Sequence, residues 1–268
     1  MALLQINHKS TFVQTNLVLN MILPEVTEED PRPVRERKVL WLLHGLGGDG
    51  STWVRNGNAE RVAQTYGITM IMPSVGRSFY ADMDNGQRYF SYLTEELPKW
   101  IGERFNLDLS RENSMIAGLS MGGYGAFLAA LRRPDLYSEA ASFSGLLATE
   151  ILHGPQSKTV DPVFMKEMSM IFGGLEKVPG SVYDPGFLLQ QMAKDPEKYP
   201  RLYASIGRND DLLPTNRIFT QRAQALGLPL TYIEDDGDHT WAFWQKYLPI
   251  WLNFVLGDPL QEKRNAAF

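Results

Sequence analysis

Short apolar runs alternate along this chain with segments in which apolar positions have helical spacing. Runs such as 38–43 (KVLWLL), 68–72 and 114–118 are almost continuously apolar, as expected for strands buried on both faces of a sheet. We expect Pro98 to interrupt the helical segment 89–105. The pattern predicts strands at 11–23 (paired with 3–8 as a hairpin), 38–43, 68–72, 114–118, 139–144, 200–207 and 228–234, and helices at 58–66, 89–105, 121–132, 214–226 and 241–255. This alternation predicts an α/β fold whose central sheet is mostly parallel and carries helices on both faces.

Residues 147–198 break the alternation. They contain prolines, glycines and methionines but no clear strand. We interpret this segment as a cap-like insertion over the sheet edge. The length of 268 residues suits one α/β domain, spanning 1–268, that carries such an insertion.

The composition narrows the classes of function. Hydrophobic residues make up 44% and charged residues 21% of the chain, as in globular proteins with a large core. The net charge of -5 is spread over mixed signs without a basic stripe, so we expect no nucleic-acid partner. The absence of cysteine excludes disulfides, thiolate metal ligands and a thiol nucleophile.

The first residues lack the pattern of a signal peptide. No apolar run approaches the roughly 18 residues that cross a bilayer. We therefore expect a cytoplasmic protein without a membrane partner.

The strongest chemical signal is Gly118-Leu119-Ser120-Met121-Gly122. This Gly-x-Ser-x-Gly pattern follows a predicted buried strand and precedes a predicted helix, the context in which a nucleophilic serine sits on a sharp turn. The residues two before and two after the serine approach each other closely there, so both must be small. The alternative is a glycine-rich turn with an incidental serine.

A serine hydroxyl needs a base to remove its proton. In this kind of fold the triad order is serine, acid, histidine. His239 follows the strand 228–234 and precedes the last helix, whereas His153 lies in the insertion. We expect His239 to be the base, His44 to be structural and His8 to be an exposed strand residue; the alternative for His239 is a surface histidine in an acidic loop.

The acid that orients the base should follow the preceding strand. Two adjacent aspartates, Asp210 and Asp211, lie there. Spacing alone does not separate them, and either could serve only as a turn residue or a helix cap.

The developing oxyanion needs backbone donors. The N–H of Met121, directly after the nucleophile, is one candidate. The second should come from His44-Gly45-Leu46-Gly47-Gly48, where Leu46 is best placed, although this run could be only a flexible turn. It lacks the lysine and spacing of a phosphate-binding loop.

Together these segments resemble the tributyrin esterase group of the esterase D and S-formylglutathione hydrolase-like family, which has the α/β-hydrolase fold. The resemblance covers roughly residues 36–255 and rests on His44–Gly48, Ala117–Ala126, Ser142–Gly145 and Gly237–His239. It implies a carboxylesterase for short-chain acyl esters, with acetyl, butyryl or feruloyl groups as candidates. It also implies that neither a cofactor nor a metal is used. The insertion does not match the family pattern closely, which leaves substrate identity open.

The resemblance also implies site residues and assembly. The family acid is the fourth residue of a Gly-x-x-Asp segment, which favours Asp210 over Asp211, and the donors are Leu46 and Met121. Related proteins form dimers or tetramers, so a homo-oligomer is expected. Two other functions stay open: a thioesterase or acyltransferase on the same triad, and a binding protein without catalysis.

Overall fold

Eight strands form one sheet at the centre of the molecule. A computed structural model describes residues 1–154 and 160–259. The strands are β1 (Ala2–Lys9), β2 (Asn16–Leu23), β3 (Val39–Leu43), β4 (Thr69–Pro73), β5 (Ser114–Leu119), β6 (Glu139–Phe143), β7 (Arg201–Gly207) and β8 (Leu230–Asp235). The order across the sheet is β1-β2-β4-β3-β5-β6-β7-β8.

The six strands from β4 to β8 in this order are parallel, whereas β1 and β2 form an antiparallel hairpin at one edge. Strand β2 also pairs antiparallel with β4. The loops that follow β3, β5, β7 and β8 therefore leave the sheet at the same edge, where the sites of parallel sheets form. The mostly parallel α/β sheet predicted from the sequence is confirmed.

Helices cover both faces of the sheet. Along β3, Trp41 and Leu43 face one helical layer while Leu40 and Leu42 face the other, which explains the continuous apolar run. The helices are α1 (Thr52–Asn56), α2 (Ala59–Tyr66), α3 (Tyr89–Ser91), α4 (Leu97–Phe105), α5 (Met121–Arg132), α6 (Glu150–His153), α7 (Pro162–Phe172), α8 (Pro185–Met192), α9 (Leu213–Ala225) and α10 (Trp241–Leu256). Helices α4, α5, α8 and α9 pack on the first face, and α2 and α10 on the second.

The part of the insertion that the structure describes is helical. Helix α8 packs against α5 and α9, so this segment belongs to the helical layer on the first face. Phe164 of α7 contacts the ring of Phe79 in the loop after β4. Residues 155–159 lie outside the described residues, and the cap interpretation of 147–198 stays a prediction. Among the helices described, none is long and apolar enough to cross a membrane.

Two local predictions were wrong. The strand expected at 11–23 begins only at Asn16, because the preceding turn is held by hydrogen bonds from the Thr11 N–H and hydroxyl to the Glu96 carboxylate. Pro98 does not interrupt the helical segment. A π-helical turn, Tyr92–Glu96, shifts the backbone hydrogen bonds just ahead of Pro98, which has no N–H to donate.

The expectation that His8 is exposed was also wrong. Its side chain is buried between the rings of Tyr92 and Trp100, with ring-centroid distances of 5.6 and 5.0 Å. The hairpin therefore packs an imidazole against α4 and the π turn instead of presenting it to solvent.

Candidate active site

Ser120 lies on the turn between β5 and α5 in a strained conformation. Its φ of 54° and ψ of -120° are sparsely populated for a residue with a Cβ. A Cβ at Gly122 would lie 2.5 Å from the Leu43 carbonyl oxygen, and a Cβ at Gly118 would collide with the carbonyl of Gly122. The two glycines of the motif thus allow the close approach that the sequence predicted.

His239 lies beside Ser120 although 119 positions separate them in the chain. Its Nε2 is 2.9 Å from the Ser120 Oγ. The imidazole belongs to the loop between β8 and α10, and its ring meets the Trp244 ring edge-on at 5.0 Å. With 35% of the side chain exposed, the imidazole is held in place yet accessible to a small molecule.

Asp210 lies on the far side of the imidazole. Its Oδ2 is 2.8 Å from the His239 Nδ1, and its Oδ1 accepts a hydrogen bond of 2.9 Å from the Leu212 N–H. Burial alone would raise the pKa of the Asp210 carboxyl, but the hydrogen bonds from His239 and the Leu212 N–H hold its pKa below the usual value. Asp211 is exposed. Of the two aspartates that spacing left open, the structure brings only Asp210 to the histidine.

This arrangement determines what the histidine can do. An ionised Asp210 accepts a hydrogen bond from the Nδ1–H of His239, so the Nε2 lone pair of the neutral imidazole points at the Ser120 hydroxyl. The hydroxyl can then lose its proton to Nε2 as its oxygen attacks an electrophilic carbon. The carboxylate stabilises the imidazolium that results.

Two glycines bring the acid loop and the histidine loop together. A Cβ at Gly207, at the end of β7, would collide with the backbone of Gly237. The Asn209 N–H donates to the Gly237 carbonyl at 3.0 Å, and the Arg208 N–H donates to the Asp235 carbonyl at 2.8 Å. These contacts fix the separation between Asp210 and the histidine.

The two predicted oxyanion donors lie at the same edge of the sheet. Within residues 1–154 and 160–259, neither the Leu46 N–H nor the Met121 N–H has a hydrogen-bond acceptor. Met121 opens α5, so its N–H also carries the positive end of the helix dipole. Both N–H groups are therefore available as hydrogen-bond donors at this edge of the sheet.

A cavity of about 280 Å³ opens at the nucleophile. Its walls combine the glycine turn after β3 with indole rings of α10. It is lined by Gly45, Leu46, Gly47, Gly48, Thr52, Asn56, Leu119, Ser120, His239, Trp241 and Trp244.

Sequence reasoning missed Trp244 and Leu212, and also the cavity-lining residues Thr52 and Asn56. Trp244 was not singled out, although its position one helical turn after Trp241 could have placed both indoles on one face of α10. The Leu212 N–H, which fixes the orientation of Asp210, carries no signal in the sequence because it is a backbone group.

Comparisons with known proteins give a consistent picture. A family described as "Putative esterase" matches residues 10–254. An acetyl esterase of Caldicellulosiruptor saccharolyticus is 29% identical over 255 residues, which cover 92% of this chain and 96% of that protein.

Two solved structures from Staphylococcus aureus are also similar. The fluorophosphonate-binding serine hydrolase FphF has a TM-score of 0.83 and 29% identity, with 94% of this chain and 97% of that chain covered. The S-formylglutathione hydrolase FrmB has a TM-score of 0.81 and 29% identity, with 94% of this chain and 98% of that chain covered.

Proposed function

Because the chain belongs to the esterase D-like family of α/β-hydrolases, we propose that it hydrolyses short-chain acyl esters with Ser120 as nucleophile, His239 as general base and Asp210 as the residue that orients the histidine. The protein is a serine carboxylesterase. The observation that carries the residue assignment is the hydrogen-bonded line from the Ser120 Oγ through the imidazole to the Asp210 carboxylate, with distances of 2.9 and 2.8 Å.

In the first half of the reaction, the Ser120 oxygen attacks the ester carbonyl while Nε2 of His239 takes its proton. The carbonyl oxygen becomes an oxyanion, which the N–H groups of Leu46 and Met121 stabilise. The C–O bond to the alcohol then breaks. The alcohol leaves with the proton from His239, and the acyl group stays on Ser120.

In the second half, water replaces the alcohol. Nε2 of His239 takes a proton from the water as its oxygen attacks the acyl carbon, and a second oxyanion forms on the same donors. The bond to the Ser120 oxygen breaks, and His239 returns the proton to that oxygen. The products are a carboxylic acid and the free enzyme.

The size of the cavity favours a small acyl group. At about 280 Å³ it is slightly smaller than the roughly 300–1,000 Å³ that ligand pockets span. The indole rings of Trp241 and Trp244 form an apolar wall, and the small volume suits acetyl and butyryl groups better than the larger octanoyl or feruloyl groups.

An ester panel tests this proposal. We expect p-nitrophenyl acetate and butyrate to be cleaved with a kcat/KM at least about 10-fold above the octanoate and the feruloyl ester, a difference of about 1.4 kcal/mol in transition-state binding. A preference for the octanoate or feruloyl ester would contradict the proposed acyl size. Inertness towards all four esters would contradict the proposal that the protein hydrolyses esters.

A thioesterase of the S-formylglutathione hydrolase type is the second candidate. It is favoured by the 29% identity to FrmB over 94% of this chain, since the same triad can attack a thioester. Adding S-formylglutathione to the panel separates the two functions, because a thioesterase would cleave it with a much higher kcat/KM than any oxygen ester.

We also propose a cytoplasmic location and a homo-oligomeric state, with no nucleic-acid partner. The cysteine-free composition suits a reducing compartment, and the family resemblance supports the oligomer. Cell fractionation and sedimentation velocity test the two points.

A further inference from the structure

Three successive backbone carbonyls, one at the end of β3 and two in the segment that follows, are each held by a side chain. This segment leads from the buried strand into the glycine turn that contains the Leu46 N–H. Trp53 Nε1–H donates to the Leu43 carbonyl at 2.9 Å, the Tyr80 hydroxyl donates to the His44 carbonyl at 2.8 Å, and His44 Nδ1 is 2.8 Å from the Gly45 carbonyl oxygen. Such a continuous set of contacts restricts the rotation of each peptide plane in the segment.

The contacts of His44 determine its tautomer. The Val75 N–H donates to its Nε2 at 3.1 Å, so Nε2 carries no proton. Nδ1 must then be the protonated nitrogen, and it donates to the carbonyl of Gly45. The ring is 1% exposed, and burial lowers the pKa of His44, in the direction that favours this neutral tautomer.

The carbonyl of Gly45 and the N–H of Leu46 belong to one peptide group. In a planar trans peptide these two groups point in opposite directions. The Gly45 carbonyl accepts from His44 Nδ1–H and from the Gly48 N–H at 3.1 Å. Holding the carbonyl on the buried side therefore turns the Leu46 N–H towards the cavity. If this peptide flipped, a carbonyl oxygen would face the oxyanion.

Tyr80 is itself held rigidly. It is fully buried, and both it and Phe79 have positive φ values of 54° and 50°, a strained conformation for aromatic residues. The Tyr80 N–H donates to the Ser78 hydroxyl at 3.1 Å. A Cβ at Gly125 of α5 would collide with the Tyr80 ring, so the ring packs directly on the helix that follows the nucleophile.

We propose that His44 and Tyr80 are positioning residues that hold the Gly45–Leu46 peptide and the peptide before it, with the Leu46 N–H directed at the oxyanion. Neither side chain contacts the substrate. Their effect is on the transition state, because the ground-state carbonyl needs the donor less than the oxyanion does. The inference rests on the proposed function, since it assigns a role in that reaction.

Three substitutions and one matched control test the proposal. His44→Leu removes the donor to Gly45, and His44→Asn can place an amide N–H where Nδ1 lies. Tyr80→Phe removes only the hydroxyl. Tyr124→Phe is the control, because its hydroxyl is equally buried and donates at 2.8 Å to another backbone carbonyl, that of Tyr183.

With p-nitrophenyl acetate, we expect kcat to fall about 100-fold in His44→Leu and about 10-fold in Tyr80→Phe, with KM changed less than about 3-fold. His44→Asn should recover most of the loss. The affinity for a trifluoromethyl ketone, which forms an oxyanion on Ser120, should fall by the same factor as kcat/KM. The Tyr124→Phe control should stay within about 2-fold for both quantities.

The proposal is overturned if Tyr80→Phe and Tyr124→Phe lose the same activity, or if kcat falls while the affinity for the ketone is kept. Should His44→Leu not fold, the comparison of Tyr80→Phe with its control decides alone. A wild-type protein that cleaves esters while these variants remain unimpaired would contradict only the positioning role. A wild-type protein inert towards every ester would instead contradict the proposed function.

Discussion

Replacement of Asp210 by Asn tests how the acid residue controls the tautomer and charge of His239. The amide keeps the shape of the carboxylate, and its oxygen can still accept the hydrogen bond from the Leu212 N–H. Its NH₂ group then faces the imidazole and donates to Nδ1. The proton of the neutral ring must move to Nε2, which can no longer accept the proton of Ser120.

The magnitude follows from the distance. The Asp210 Oδ2 is 2.8 Å from the His239 Nδ1, which places the two charges about 4 Å apart in the transition state. At an effective dielectric constant of about 20, their attraction is about 4 kcal/mol, and at about 1.4 kcal/mol per tenfold this is roughly 10³ in rate. The wrong tautomer adds to the loss, so we expect kcat to fall by about 10³- to 10⁴-fold.

Steady-state hydrolysis of p-nitrophenyl acetate at fixed pH measures this loss, with Asp211→Asn as the matched control. Asp211 is the next residue but is exposed, so its substitution should change kcat by less than about 2-fold. A larger loss in Asp211→Asn, or equal losses in both variants, would refute the reasoning from geometry.

Three further predictions concern packing, stability and pH. Gly122→Ala should lower activity and destabilise the protein by about 1–3 kcal/mol, because the added Cβ would lie 2.5 Å from a carbonyl oxygen of β3. The control is Gly102→Ala in α4, where the added Cβ would lie 3.8 Å from the nearest atom. Urea unfolding should show this variant to be as stable as the wild type or more stable. Arg37→Met should lower the free energy of unfolding by about 3 kcal/mol without changing kcat, because the fully buried guanidinium holds the loop before β3. Arg35 is exposed, so Arg35→Met should show no such loss in urea unfolding. The pKa of Asp210 is lower in the folded state, so the contribution of its charge to stability is complete above the unfolded pKa of about 3.9 and is lost as pH falls through the folded value. The difference in unfolding free energy between wild type and Asp210→Asn should therefore shrink on acidification. A difference that stays constant with pH in urea titrations would contradict this.

Much of the fold is readable from the sequence because the central strands are buried on both faces. The run SMIAG predicted β5, and the segment 121–132 predicted α5 with the bounds that the structure has. The glycines around Ser120 are readable because the nucleophile turn requires small neighbours. The loop position of His239 is readable because the triad order places the base after the last strand.

Other features depend on contacts between distant positions. The burial of His8 depends on Tyr92, 84 positions away. The contacts of His44 involve Val75 and Tyr80, 31 and 36 positions away. No local pattern encodes such pairs.

The choice between Asp210 and Asp211 is of a different kind. Neighbouring residues in one turn have the same local signals and differ only in the direction of their side chains. That direction is set by the backbone contacts of the acid loop with Gly237, which sequence spacing does not reveal.

Mapping the site of a covalent label tests the central claim most directly. A fluorophosphonate reacts with a serine whose proton is removed by a neighbouring base, and peptide mass spectrometry locates the phosphonylated residue. The account predicts a single adduct, on Ser120, and no adduct and no ester cleavage in Ser120→Ala. An adduct on another serine, or ester cleavage retained by Ser120→Ala, would contradict it.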